Sequence, residues 1–174
     1  DNKAIELGLD PVEDEALAIT RKNRKDLAKA PQPKAVWQKF TSFVNKYNFK
    51  KTNYYAPIPA GYNIIGFDMP IVERMCEQYG PTHSKTGRQG LFNPIHKVDL
   101  MDTVWMWMEN NPDIKSLSMD SMRDLLGMDK TNAHDALQDV KDTANLLIAF
   151  MKLYRKCAPK VKFEKAFADG NIHL

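Results

Sequence analysis

Residues 131–147 read TNAHDALQDVKDTANLL, and the reading of this stretch decides how the rest of the chain is taken. In a chain with only four histidines it sets His134 beside Asp135, with Asp139 and Asp142 following closely. Leu137, Val140, Ala144, Leu147, Met151 and Tyr154 recur at helical spacing, which predicts one apolar stripe on a long closing helix. Asp139 then lies at the edge of that stripe, and Asp135 and Asp142, at i−4 and i+3, share its side. Carboxylates gathered in this way repel one another unless a cation or solvent offsets them. His134 falls just ahead of the regular helix, where its ring can reach the same region. A cation held by acids beside an imidazole is apparatus for activating water against a phosphodiester.

Working outward, residues 60–70, AGYNIIGFDMP, read as a short strand reaching Gly61, a loop carrying Asn63, and a helix opened by Asp68. Taken alone, Asp68 equally fits an acid that complements the helix dipole. The helix runs on through FDMPIVERMCEQYG with Ile71, Val72 and Met75 inward and stops at Gly80. Ahead of it, Val36, Trp37, Phe40, Phe43, Val44 and Tyr47 predict a helix over 33–47. Residues 1–32 have weak periodicity, and 80–97 read as an irregular loop. DLMDTVWMWMENN is helical, with its Met and Trp residues assigned to the core. Ser118 is expected to cap a short helix, MDSMRDLLG, that ends at Gly127. Helices outnumber strands, and the mixed order gives an α/β class with a thin sheet.

The length, 174 residues, fits one domain with a sizeable core. With 43% apolar and 27% charged residues the chain is too apolar to be disordered. The net charge of +3 is mild, but Arg21 to Lys51 holds ten Lys or Arg against one acid, Asp26. That block is either a solvated face or the footprint of a phosphate backbone. Cys76 and Cys157 fall in apolar helical patterns, so buried free thiols in a reducing compartment are expected. No apolar run approaches the ~20 residues of a membrane span, and no signal peptide opens the chain, so a cytoplasmic protein without a membrane partner is the expectation.

GYNIIGFD and NAHDALQDV resemble the second and third signature motifs of the DEDD 3′→5′ exonucleases, in the subtype that uses a histidine. The later motif of that subtype, H-x-A-x-x-D, is matched by His134, Ala136 and Asp139. In the spacing of Asn63 to Phe67 and Asp68, and in the run Asn132 to Ala136, the wording is most similar to the bacterial exonuclease I group. The likeness covers roughly residues 33–155, since VDLMDTVWMWM and SLSMDSMRDLLGM also resemble the family's intervening elements. It implies a ribonuclease H-like fold, a mixed sheet flanked by helices, over an exonuclease domain at 1–157 followed by a basic tail at 158–174. It implies two divalent ions, Mg²⁺ or Mn²⁺, ~4 Å apart. Asp139 and Asp68 would be metal ligands, and His134 the general base, mostly neutral near pH 7 at its ordinary pKa of ~6.5. Asn63 and Phe67 would shape a pocket for the terminal nucleotides of a nucleic acid, single-stranded DNA foremost and RNA as the alternative.

The family's first motif, Asp-x-Glu on the first strand, has no counterpart in the sequence. Glu13-Asp14-Glu15 comes closest, but it precedes a segment resembling the connection after the third strand and so lies too late in the fold. The chain opens on Asp1 rather than Met, and the expectation is that the first strands are missing and that these residues alone are inactive. Two other readings stand beside the enzyme: an exonuclease-fold protein that binds nucleic acid with an incomplete site, and a helical HD-type metal phosphohydrolase prompted by His134-Asp135. The latter needs histidine ligands on upstream helices, whereas His83 and His96 fall in a loop. A zinc site from Cys76, His83 and His96 has no supporting spacing.

Overall fold

A computed structural model describes residues 13–20, 22–128 and 135–158. In chain order the elements are α1 (Asp14–Ile19), α2 (Arg24–Lys29), α3 (Pro33–Asn45), a 3₁₀ turn (Asn53–Tyr55), β1 (Ala60–Gly61), α4 (Asp68–Tyr79), β2 (Val98–Asp99), α5 (Leu100–Met108), α6 (Met119–Leu126) and α7 (Ala136–Cys157). β1 and β2 pair in parallel, Ala60 opposite Val98 and Gly61 opposite Asp99. A parallel pair needs a crossover, and here α4 and the loop over 80–97 provide it. The mixed sheet expected from the resemblance is represented among the described residues by this one parallel pair.

Two apolar clusters flank the segment that leaves β1. Trp37 and Val44 of α3, Met69, Val72 and Cys76 of α4, and Leu91 close around Ile64. Leu100 and Val104 of α5, Met122 of α6 and Leu146 of α7 form the second cluster, with Tyr62 packed against it. Neighbouring motif positions therefore plug into opposite cores, and this fixes the path of the loop between them. Trp37 donates its indole N–H to the Gly80 carbonyl at 2.5 Å, tying α3 to the end of α4. The Tyr62 hydroxyl donates to the Leu117 carbonyl, also at 2.5 Å.

The caps follow the sequence. Ser118 accepts from the Ser121 N–H at the start of α6, and Gly127 ends that helix in the left-handed region at φ 63°. Gly80 closes α4 as expected. The weakly patterned N-terminal region contains the short helices α1 and α2, with Asn23 capping α2 through the Asp26 N–H. Arg24 pairs with Asp14 at 2.8 Å, which joins them.

Four assignments of the buried face need correction. On α4 the inward stripe is Met69, Val72 and Cys76, with Met75 partly buried against it as expected, and Ile71 is exposed. On α3 only Trp37 and Val44 are buried, and Val36, Phe40 and Phe43 are exposed, as is Tyr47 just past the helix. Trp105, Met106 and Trp107 of α5 lie outside the core, which takes Leu100 and Val104 instead. On α7 the buried residues are Asp142 and Leu146, while Leu137 and Val140 are 62% and 65% exposed. The reason is shared: these helices are apolar on more than one face, and periodicity identifies a stripe without saying which stripe meets a neighbour. The cysteines also differ from each other. Cys76 is fully buried, where burial pushes its thiol pKa up, whereas Cys157 is only half-buried.

Candidate active site

The turn after β1 is built by its sequence. Asn63 adopts φ 56°, a left-handed conformation that asparagine tolerates better than most residues. Its carbonyl accepts the Phe67 N–H at 3.0 Å, and the Ile64 carbonyl accepts the Met69 N–H at 2.8 Å. Gly66 leaves room for the Asn63 side chain: a Cβ there would sit 2.6 Å from Asn63 Oδ1, so the amide would have to turn aside. The turn thus brings together Asn63, Phe67 and Asp68, three residues expected at the site, and delivers Asp68 into the first turn of α4.

Asp99 anchors this turn, and sequence reasoning did not single it out. The residue is 8% exposed. Oδ1 accepts from Asn63 N–H at 2.9 Å and from Met101 N–H at 3.0 Å, and Oδ2 accepts from Ile65 N–H at 3.1 Å. One side chain therefore caps α5 and holds the motif turn in register with β2. The signal present in the sequence was an aspartate just ahead of a helical run, an N-cap pattern.

Burial raises the pKa of the Asp68 carboxyl above its ordinary value; the helical backbone N–H partly offsets this, and the charge on Asp99 adds to it. A carboxylate so placed is one whose ionised form a cation would favour. Phe67 presents a ring that is 65% exposed. A recess of about 390 Å³ is lined by Ile65, Met69, Pro70, Glu73, Ile95 and Lys97, without Phe67 itself.

Asp139 occupies a different network. Arg123 of α6 is 1% exposed and lies among three carboxylates. Its Nε is 2.8 Å from Asp142 Oδ2, Nη1 is 2.7 Å from Asp120 Oδ1, and Nη2 is 2.5 Å from Asp139 Oδ1. Asp142 Oδ1 also accepts from the Gln138 side-chain amide at 2.7 Å. These carboxylates hold the guanidinium pKa above its ordinary value in spite of burial. Arg123 is thus a cation that offsets the acids of α7. The expected trio is corrected in one member: Asp135 is the helix N-cap, accepting from the Leu137 and Gln138 N–H groups, and Asp120 of α6 takes the third place. Arg123 escaped the sequence reading because a polar residue within a short amphipathic helix carries no mark of what it faces. His134 lies outside the described residues.

Among the described residues no three His, Cys, Asp or Glu side chains gather as a metal-binding cluster. Asp68 and Asp139 offer carboxylate oxygens only, a donor chemistry that suits Mg²⁺ or Mn²⁺.

Residues 8–147 match the exonuclease family RNase_T. The chain belongs to that family, whose DEDD members act on nucleic acids with divalent metals on a ribonuclease H-like α/β fold. No curated protein and no solved structure matches the chain. The family match sets aside the HD-type phosphohydrolase. No helix among the described residues is long and apolar enough to cross a membrane.

Proposed function

We propose that this chain carries the second and third motifs of a 3′→5′ exonuclease of the histidine subtype, similar to the bacterial exonuclease I group, which releases mononucleotides from single-stranded DNA in the cytoplasm. The observation that carries the reading is the turn from Asn63 to Asp68, pinned by Asp99, within a chain that matches the exonuclease family over 140 positions, 8–147.

Asp68 and Asp139 would hold the divalent ions, which would supply positive charge against the charge that builds on the phosphodiester. His134 accepts the proton of the attacking water on a neutral ring nitrogen. Phe67 offers an exposed face for the terminal base, and Asn63 shapes the pocket behind it. Lys39 and Lys46 border a shallow groove on α3 with Phe43, and such a mix of cations and an aromatic ring suits a single strand's phosphates and bases.

The test uses the full-length protein and an oligonucleotide labelled at its 5′ end. The expected product is a ladder shortening from the unlabelled end, abolished by EDTA. Immediate release of a labelled mononucleotide, or undiminished activity in EDTA, refutes the reading. Metal-independent binding without any cleavage would favour the nucleic-acid-binding relative with an incomplete site.

A further inference from the structure

Arg123 takes no part in the chemistry just described, yet it is the largest fully buried side chain among the described residues. A buried ion pair contributes little to stability beyond what an apolar pair of similar volume would provide. What a guanidinium offers in addition is geometry: a planar fork fixes the direction of each carboxylate it meets. Here the fork spans two helices. Nε holds Asp142, whose side chain is 5% exposed, and Nη2 reaches Asp139, whose side chain is 42% exposed. The inner end of the fork is therefore a fixed strut, tightened by Gln138, while the outer end grips a carboxylate that stays open to solvent. A side chain gripped in this way loses rotamer freedom before any ligand arrives.

We infer that Arg123 is a positioning residue, which acts through Asp139 by holding its carboxylate in the orientation that receives a divalent cation. The inference rests on the reading of Asp139 as a metal ligand.

The decisive variant is Arg123→Met combined with Asp142→Leu in the full-length protein. The pair removes one positive and one negative charge together, so the net charge is unchanged, and replacing a buried ion pair by apolar residues preserves the fold. Mn²⁺ affinity is read from the free-ion signal in electron paramagnetic resonance, alongside the melting temperature. The expected result is an affinity loss of about ten-fold, the scale on which residues that orient a metal ligand act, at a nearly unchanged melting temperature. Arg123→Lys, which keeps the charge and loses the fork, should weaken Mn²⁺ binding in the same sense, and it carries the test if the double variant does not fold. In an Asp139→Asn background neither change should weaken binding further. Wild-type affinity in a folded variant lacking Arg123, or losses that simply add to that of Asp139→Asn, would overturn the proposal. If Asp139→Asn by itself leaves Mn²⁺ affinity intact, the ligand reading fails and the inference fails with it.

Discussion

Asp99→Asn is the perturbation whose size can be worked from the contacts. The wild-type carboxylate accepts three backbone N–H groups, two on Oδ1 and one on Oδ2. Asparagine has a single carbonyl oxygen. If that oxygen keeps the Asn63 and Met101 partners, its NH₂ is turned toward the Ile65 N–H and one charge-assisted bond is lost. A hydrogen bond to a charged group contributes about 1.5–3 kcal/mol, so the expected loss is about 2 kcal/mol. Asp99→Ala removes all three acceptor contacts, one of which is the α5 cap that by itself contributes about 1 kcal/mol. With water entering the vacated space, the total should lie near 3–5 kcal/mol rather than at the sum of the separate maxima. Urea unfolding measures the two losses, and amide exchange locates them, with protection expected to fall first at Ile65 and, in the alanine variant, also at Asn63. Because the charge on Asp99 helps to raise the Asp68 pKa, Asp99→Asn should also bring that pKa down, visible in carboxyl ¹³C shifts. A stability change below about 0.5 kcal/mol, or unchanged exchange at Ile65, would refute the anchoring role, since surface substitutions produce effects of that size.

Asp68→Asn should stabilise the metal-free protein at neutral pH. With a raised folded pKa, the contribution of Asp68 to stability is present below its ordinary value of 3.8 and is lost as pH rises through the folded value. The gain in melting temperature should therefore vanish near pH ~3, and an equal gain at both pH values would contradict the linkage. Tyr62, with its hydroxyl pKa pushed up to about 12 from 10.0 by burial and then by Asp99, contributes stability that is full below pH 10 and lost toward 12. Tyr62→Phe should cost about 1 kcal/mol at neutral pH and flatten the alkaline fall, as urea titrations across pH would show. His134→Ala should lower kcat by ~10²–10⁴ with KM little changed, and a weakened KM at intact kcat would make the histidine a ligand contact instead. Asp139→Asn should weaken Mn²⁺ binding in calorimetry while circular dichroism stays unchanged.

Much of the local structure was legible because it is encoded by neighbours in sequence. The caps at Ser118 and Gly127, the start of α4 at Asp68 and its end at Gly80 depend on contacts within a few residues, and composition shows them directly. The motif turn is of the same kind, since Asn63 and Gly66 meet within four positions of each other. The inward faces were less legible. α7 carries Leu137, Val140 and Ala144 on one side and Leu146 and Phe150 on another, so its sequence describes two plausible seams, and α5, α6 and Tyr62 decide between them.

By itself, then, the sequence determined the helices from α3 to α7, the motif turn and the exonuclease class, because spacing along one chain is enough to specify a cap, a turn or a helical period. The tertiary structure decided where the charges go. Asp99 reaches back 36 positions to the Asn63 turn, and Arg123 reaches forward 16 and 19 positions to Asp139 and Asp142. Carboxylates on one helix face pose a question of charge that their own segment cannot answer. The compensating guanidinium comes from another helix, and only packing brings it there.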